Sequence, residues 1–245
     1  MPSENLIYGR NSVREALRAE KKPEKVLFVS GEKTPPLAEI FALAKKSGAV
    51  IQTVDRKRLD QMCGGQNHQG VAAVVPATQY STVAAMLRSA EEKGEDPFLI
   101  LLDGIEDPHN LGSIIRSAEC AGAHGVIIPK NRAVGVTPTV VKVSSGAAEY
   151  MPVARVTNLN QTIEDLKKEG LWIAGADMDG ESYSKAPLSG PIALVIGAEG
   201  AGISRLTREK CDFIVSLPVL GHIDSLNAAV AAGILIYEVR RRRDG

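Results

Sequence analysis

Apolar positions along this chain follow two periods. In the first third, short runs at 26–29, 50–54 and 71–75 are rich in Val, Ile, Leu and Phe and bounded by polar turns, which predicts strands. Segments 13–19, 37–46 and 56–62 carry apolar residues three and four apart, which predicts helices between and before those strands. Residues 1–76 therefore read as a small α/β unit. From 77 to 96 the chain turns polar and ends in Glu91-Glu92-Lys93-Gly94-Glu95-Asp96 before Pro97. That stretch reads as a linker with one short helix at 83–93.

Residues 97–245 repeat the alternation on a larger scale. Strands are predicted at 98–102, 125–128, 153–156, 172–175, 192–196 and 213–217, and helices at 110–121, 139–148, 159–168, 205–210 and 226–241. In the last helix Leu226, Val230, Gly233, Ile234 and Tyr237 share one face. Apolar strand cores separated by helices imply a mostly parallel sheet covered on both faces. Ligands in such sheets sit beyond the carboxyl ends of the strands, which points to the loops after Leu102, Ile196 and Leu217.

Composition narrows the class. With 44% hydrophobic and 24% charged residues in 245, the chain has the makings of a real core and is not a disordered one. Its longest uncharged apolar stretch, before Glu238, falls short of the roughly 20 residues of a membrane span. Met1-Pro2-Ser3-Glu4-Asn5 does not open a signal peptide. Cys63, Cys120 and Cys211 are too few and too scattered for a disulfide framework or a zinc cluster, and fit the reducing cytoplasm. Net charge is zero, but residues 1–76 carry 12 Lys+Arg against 8 Asp+Glu and the remainder 17 against 21. A basic first unit suits a polyanion, although charge scatter explains the imbalance equally well. The run Arg240–Arg243 reads as a solvated helix end opposite the helix dipole, or as a phosphate contact.

The three loops carry the most unusual local sequences. The first is Asp103-Gly104-Ile105-Glu106-Asp107-Pro108-His109-Asn110-Leu111-Gly112, followed by Arg116 in the helix. Asn110 alone could be a helix cap, and Arg116 suits the mouth of a site better than a core. The second, Gly197-Ala198-Glu199-Gly200-Ala201-Gly202, lets a ligand approach the backbone. Its spacing is not the dinucleotide fingerprint, and Glu199 would repel a pyrophosphate; a nucleoside with a positive group suits it better. The third runs from Leu217-Pro218 to Ser225-Leu226-Asn227, where Ser225 taken alone reads as a helix cap.

Together these loops resemble the three signature motifs of the SpoU-type RNA ribose 2′-O-methyltransferases of the SPOUT superfamily. The first motif corresponds to Asp103, Pro108, Asn110, Gly112 and Arg116, the second to Gly197, Glu199, Gly200 and Gly202, and the third to Pro218, Gly221, Ser225, Leu226 and Asn227. Three motifs in order, each after a predicted strand, make a specific signal. Ile7-Tyr8-Gly9-Arg10-Asn11-Ser12-Val13, His68-Gln69-Gly70 and the segment 142–149 resemble, more narrowly, the bacterial 23S rRNA guanosine-2′-O-methyltransferases.

The resemblance implies an L30e-like RNA-binding domain followed by a SPOUT domain whose C-terminal segment forms a trefoil knot. It implies S-adenosylmethionine as methyl donor, held around Ile196, Gly197, Gly200, Leu217 and Leu226, and no metal. Catalysis would fall to Arg116 with Asn110, Glu199, Ser225 and Asn227, and Arg10, Asn11 and His68 would touch RNA. The implied substrate is a guanosine ribose in the peptidyl-transferase P-loop region of 23S rRNA, free or in a precursor particle, and the implied assembly is a homodimer. A tRNA ribose methyltransferase and a non-catalytic ribosome-assembly factor of the same fold are the competing readings.

Overall fold

The computed structural model describes residues 6–18, 22–32, 34–75, 79–222 and 224–244. The N-terminal pentapeptide, Ala19, residues 76–78 and Ile223 of the third loop lie outside the described residues. The chain divides into two compact units at Gln79/Tyr80.

The first unit contains β1 (Leu6–Tyr8), α1 (Arg10–Arg18), β2 (Lys25–Val29), α2 (Pro35–Ser47), β3 (Val50–Val54), α3 (Arg56–Met62) and β4 (Val71–Val74). Its sheet runs in the order β1-β4-β2-β3, with only β2 and β3 parallel. β1 is too short to show a period and was not anticipated as a strand. The sheet buries both faces. Val26, Phe28, Val71 and Ala73 pack under α1 and α2, while Leu27, Val29 and Ala72 pack with Leu59 and Cys63 of the α3 side.

The second unit contains α4 (Val83–Lys93), β5 (Phe98–Asp103), α5 (Pro108–Cys120), β6 (Gly125–Pro129), α6 (Pro138–Val143), β7 (Val153–Val156), α7 (Leu159–Lys168), β8 (Trp172–Ser182), β9 (Ile192–Gly197), α8 (Arg205–Lys210), β10 (Phe213–Ser216) and α9 (Ala228–Arg243). Six parallel strands lie in the order β10-β8-β9-β5-β6-β7. Alternate residues of β5 supply two cores, as the pleat requires. Phe98, Ile100 and Leu102 face the α5 and α9 side, and Leu99 and Leu101 face the α4 and α7 side.

Two readings of the sequence change here. The segment expected to be a linker contains α4, which belongs to the second unit: Met86 and Ala90 are fully buried, and Met86 packs with Leu99, Ile127 and Ala154. Thr82 caps its start through the Ala85 N–H and Gly94 ends it in the left-handed region, so the polar composition belongs to its outer face. The last helix is also turned relative to expectation. Its core face is Ala228, Ala232, Leu235, Ile236 and Val239, whereas Val230, Ile234 and Tyr237, with Leu226 just before it, are exposed. Both faces are apolar, so periodicity alone could not choose between them.

The arginine run closes the unit rather than facing solvent freely. Arg243 donates to the carbonyls of Asp96, Pro97 and Gly190 and lies over the Phe98 ring. Arg240 pairs with Asp244. Arg241 and Arg242 both bind the buried carboxylate of Glu238, and Arg242 also donates to the Ser184 carbonyl. The Arg241 hydrogen bond, aided by Arg242 and opposed by burial, pulls the Glu238 pKa from 4.5 down to about 2. A depressed carboxylate stabilises the fold above its unfolded pKa and loses that contribution as pH falls through the folded one. Glu238→Gln is therefore expected to lower stability at pH 6. In urea titrations the gap from wild type should close between about pH 4.5 and about pH 2. A gap independent of pH would mean that Glu238 acts through packing alone.

Candidate active site

The carboxyl ends of β5 and β9 are adjacent, with Asp103 opposite Gly197 in register. On the other flank of β9, pairing with β8 stops at Gly175–Val195, and β8 continues along β10. Ile196 and Gly197 thus project beyond the last rung on that side. The loop after β9 folds back sharply, with Ala198 and Gly202 exchanging two backbone hydrogen bonds. Gly197 has to be glycine, because a Cβ there would overlap the Gly202 backbone. Gly200 and Gly202 occupy the left-handed region that this turn needs. Asp103 fastens the loop from the first strand by accepting the Ser204 N–H at 2.9 Å.

The first motif enters a helix earlier than expected. Asp107, not Asn110, caps α5 through the His109 N–H, and Pro108 takes the first helical position. Asn110 therefore lies within the first turn, with its side chain free for another task. Gly112 lets α6 press against α5, since a Cβ would lie 2.8 Å from Val143 Cβ and 2.9 Å from the Val140 carbonyl oxygen. The third motif is corrected in the same way. The cap of α9 is Asn227, whose Oδ1 accepts from the N–H groups of Ala229 and Val230, and Ser225 is an exposed loop residue.

These placements bring the three loops together on one side chain. Asn227 Nδ2 donates to Asn110 Oδ1 at 2.9 Å and to Glu199 Oε2 at 3.0 Å while its oxygen caps α9. The amide is used at both ends, and its orientation is fixed by the two carboxylate and amide oxygens on one side and two N–H donors on the other. Arg116 is exposed and is held elsewhere, by Ser145, which accepts from its Nη1 at 3.1 Å. Ser145 has φ +54°, uncommon for a side-chain-bearing residue. It sits in a turn whose preceding Ser144 bonds the Val141 carbonyl and the Ala148 N–H. This turn interrupts the helix expected over 139–148, and nothing in the local sequence announces that Ser145 meets Arg116.

Of the expected cofactor residues, Ile196 and Gly197 are buried and present backbone, Leu217 is half-buried, and Gly200 and Leu226 are exposed. In the first unit, β1 and β4 bring two separated motifs into contact. Arg10 donates from its backbone N–H to Gln69 Oε1 and from Nε to the Gln69 carbonyl, and Asn11 accepts from Arg14. His68 does not face outward. It is 2% exposed, with Nδ1 accepting the Gly70 N–H and Nε2 bonded to Asp60, so it holds the turn.

Residues 97–237 match the SpoU rRNA Methylase family, and residues 6–81 match its companion, the RNA 2′-O ribose methyltransferase substrate-binding domain. The chain belongs to the SpoU rRNA methylase family. YacO of Bacillus subtilis (strain 168), named for the TrmH family of tRNA/rRNA methyltransferases, is 50% identical over 241 residues, spanning 98% of this chain and 96% of that one. A Staphylococcus aureus (strain COL) protein of the same name is 44% identical, spanning 98% and 97%. Among solved structures, the SpoU methyltransferase AviRb of Streptomyces viridochromogenes in complex with AdoMet aligns with a TM-score of 0.66 at 27% identity. That alignment covers 97% of this chain and 89% of AviRb. The AdoMet-bound rRNA methyltransferase of Sinorhizobium meliloti aligns at 0.64 and 26%, covering 97% and 87%.

If Asn227 both caps α9 and ties the loops, the two tasks separate by mutation. Asn227→Ala is expected to cost about 1 kcal/mol or more in urea unfolding, the usual loss for an N-cap. Asn227→Asp keeps the cap oxygen but loses the donor and faces Glu199, so it should retain most of the stability yet disturb the loops. Equal stability of the alanine variant and wild type would remove the cap from this account.

Proposed function

We propose that this SpoU-family protein transfers a methyl group from S-adenosylmethionine to a ribose 2′-oxygen, and that its target is a guanosine in the peptidyl-transferase P-loop region of 23S rRNA. The observation that carries the reading is the junction of all three motif loops at Asn227; Arg116, on the helix that the first loop enters, is exposed and held by Ser145. The family match and the AdoMet bound to AviRb support the donor. The residues here suit it. A nucleoside that carries a sulfonium finds suitable surroundings in apolar surface for its base and a carboxylate nearby. Leu217 and Leu226 supply the first and Glu199 the second, while Gly200 and Gly221 leave open space, with no atom within 4 Å of a Cβ at either. Backbone at Ile196, Gly197 and Gly200 completes the cradle.

When bound, S-adenosylmethionine supplies a methyl on a sulfonium already activated for in-line displacement, so the chain's own work is alignment and charge stabilisation. The Arg116 guanidinium offers N–H donors and no acceptor, so it is not suited to take up the 2′-hydroxyl proton. Its role is to stabilise the developing alkoxide, or a neighbouring phosphate, from a position held by Ser145. Asn110 spends its oxygen on Asn227, which leaves its amide N–H groups to bind the ribose. Ser225 and Asn227 shape the pocket wall. Among the described residues, no group of three or more His, Cys, Asp or Glu stands where it would hold a metal ion.

The rRNA target and the L30e-like reading of the first unit draw support from its match to the substrate-binding domain and from its basic balance, with Arg10 and Asn11 as RNA contacts. A trefoil knot in the C-terminal segment draws support from the return of α9 from the β10 edge to pack on α5 and β9. A homodimer through α9 draws support from the exposed Leu226, Val230, Ile234 and Tyr237, a contiguous apolar stripe of the kind that monomers rarely leave uncovered. Three free cysteines fit work in the cytoplasm, and no described helix is long and apolar enough to cross a membrane.

Arg116→Ala should cut methyl transfer to rRNA by roughly 100-fold or more, the usual effect of removing a transition-state donor. Its S-adenosylmethionine affinity by equilibrium dialysis should stay within about twofold. Loss of both together would make Arg116 a structural residue, and full activity would remove it from the reaction.

A further inference from the structure

A cleft of about 330 Å³ opens beside the loop after β9, and its lining adds the loop after β6, which no motif includes, to residues of the first two motif loops. Its lining joins Asp103 and Gly104 from the end of β5 and Ala198, Ala201, Gly202 and Ser204 from the β9 loop to Pro129, Asn131 and Arg132 from the end of β6. It lies at the carboxyl ends of three neighbouring parallel strands, the place such sheets offer to ligands. The β9 loop is thus a wall with two working sides: Glu199 reaches Asn227, and Ala198, Ala201 and Gly202 face the cleft. No residue of the third motif loop lines it, whereas Leu217 and Leu226 of that loop define the proposed cofactor side.

The chemistry of the lining selects a class of ligand. Arg132 is exposed and has no hydrogen bond or ion pair to another described residue, and Lys130 beside it is also exposed. Arg132 sits at φ +56°, a conformation that costs a side-chain-bearing residue free energy and is retained here at the rim of a cleft. Asp103 spends one oxygen on the Ser204 N–H, leaving acceptor capacity for N–H groups. Asn131, also exposed, offers an amide that donates and accepts. A guanidinium, an amide and a carboxylate around a space of this size match a nucleotide, with a phosphate for the cation and a base edge for the other two.

We propose that this cleft seats an RNA nucleotide adjoining the one that is methylated, with Arg132 on its phosphate. The proposal rests on the RNA methyltransferase reading above and adds a second contact point to it, at Asn131 and Arg132 of the loop after β6. RNA held at two places on either side of the β9 loop is fixed in direction as well as in position, which is what presenting one particular 2′-oxygen requires.

The test measures binding separately from turnover, using the full chain and an unmethylated rRNA fragment. Arg132→Ala is expected to weaken RNA binding about 3- to 30-fold and to flatten the dependence of log affinity on log salt by about one unit, the signature of one lost phosphate contact. Arg132→Lys should recover most of the affinity. Arg132→Gly relieves the positive φ, so it should fold at least as stably as wild type and bind RNA as weakly as the alanine variant. S-adenosylmethionine affinity should be unchanged in all three. Wild-type RNA affinity and salt slope in Arg132→Ala would overturn the proposal, and so would a weakened cofactor affinity, which would assign the cleft to the methyl donor. If wild type binds the fragment but transfers no methyl, the proposed activity fails, while the binding comparison still decides the cleft.

Discussion

The side-chain amide of Asn227 is the point on which the geometry of the candidate site depends. Its nitrogen binds Asn110 from the loop after β5 and Glu199 from the loop after β9, and its oxygen caps the helix that follows the third loop. An amide serves this purpose where a carboxylate or an ammonium would not, because it donates at one end and accepts at the other. The parallel sheet makes the junction possible: adjacent strands deliver their loops to the same edge, and Asp103 and Gly197 end in register. Asp103 then fixes the second loop at Ser204, so the glycine turn is anchored at both ends. An exposed network of this kind adds little to stability by itself. Its value is in holding loops that have few apolar contacts of their own.

Much of this was legible in the chain because it depends on local rules. The parallel sheet followed from apolar strand cores separated by helices, and the three site loops followed from where parallel strands end. What was misplaced depends on where helices start and on which side chains meet, which no single period or motif encodes. Asn110 and Ser225 each looked like a helix cap, and only the helix starts reveal that Asp107 and Asn227 hold those positions. α4 looked like a linker because its outer face is charged, and its two buried residues, Met86 and Ala90, are few. His68 looked available to RNA, yet the Gly70 N–H and Asp60 occupy both of its ring nitrogens. The Ser145–Arg116 contact spans 29 positions and had no local signal. The loop after β6 was overlooked although Lys130-Asn131-Arg132 follows a strand end, a pattern that does point to a ligand-facing loop.

The last helix has one face that serves stability and another that is left uncovered. Its small inward residues, Ala228 and Ala232, allow close packing on α5, and Glu238 with Arg241 and Arg242 fixes its end. Arg243 reaches back to the carbonyls before β5, tying the end of the unit to its first sheet strand. The opposite face, from Val230 to Tyr237, is left apolar and open, just behind the loop that carries Leu226. In a homodimer built on that face, the cofactor side of the site would lie beside the interface, so assembly and activity would be coupled through the same helix.

On the proposed function, a ribose 2′-oxygen and not a base atom receives the methyl group. The most direct measurement incubates the protein with methyl-labelled S-adenosylmethionine and large-subunit rRNA from cells lacking the enzyme, digests the RNA with alkali and locates the label. A 2′-O-methyl group blocks alkaline cleavage of the next phosphodiester, so label is expected in an alkali-resistant dinucleotide beginning with guanosine. Label recovered in a single alkali-released nucleotide would put the methyl on a base and contradict the account.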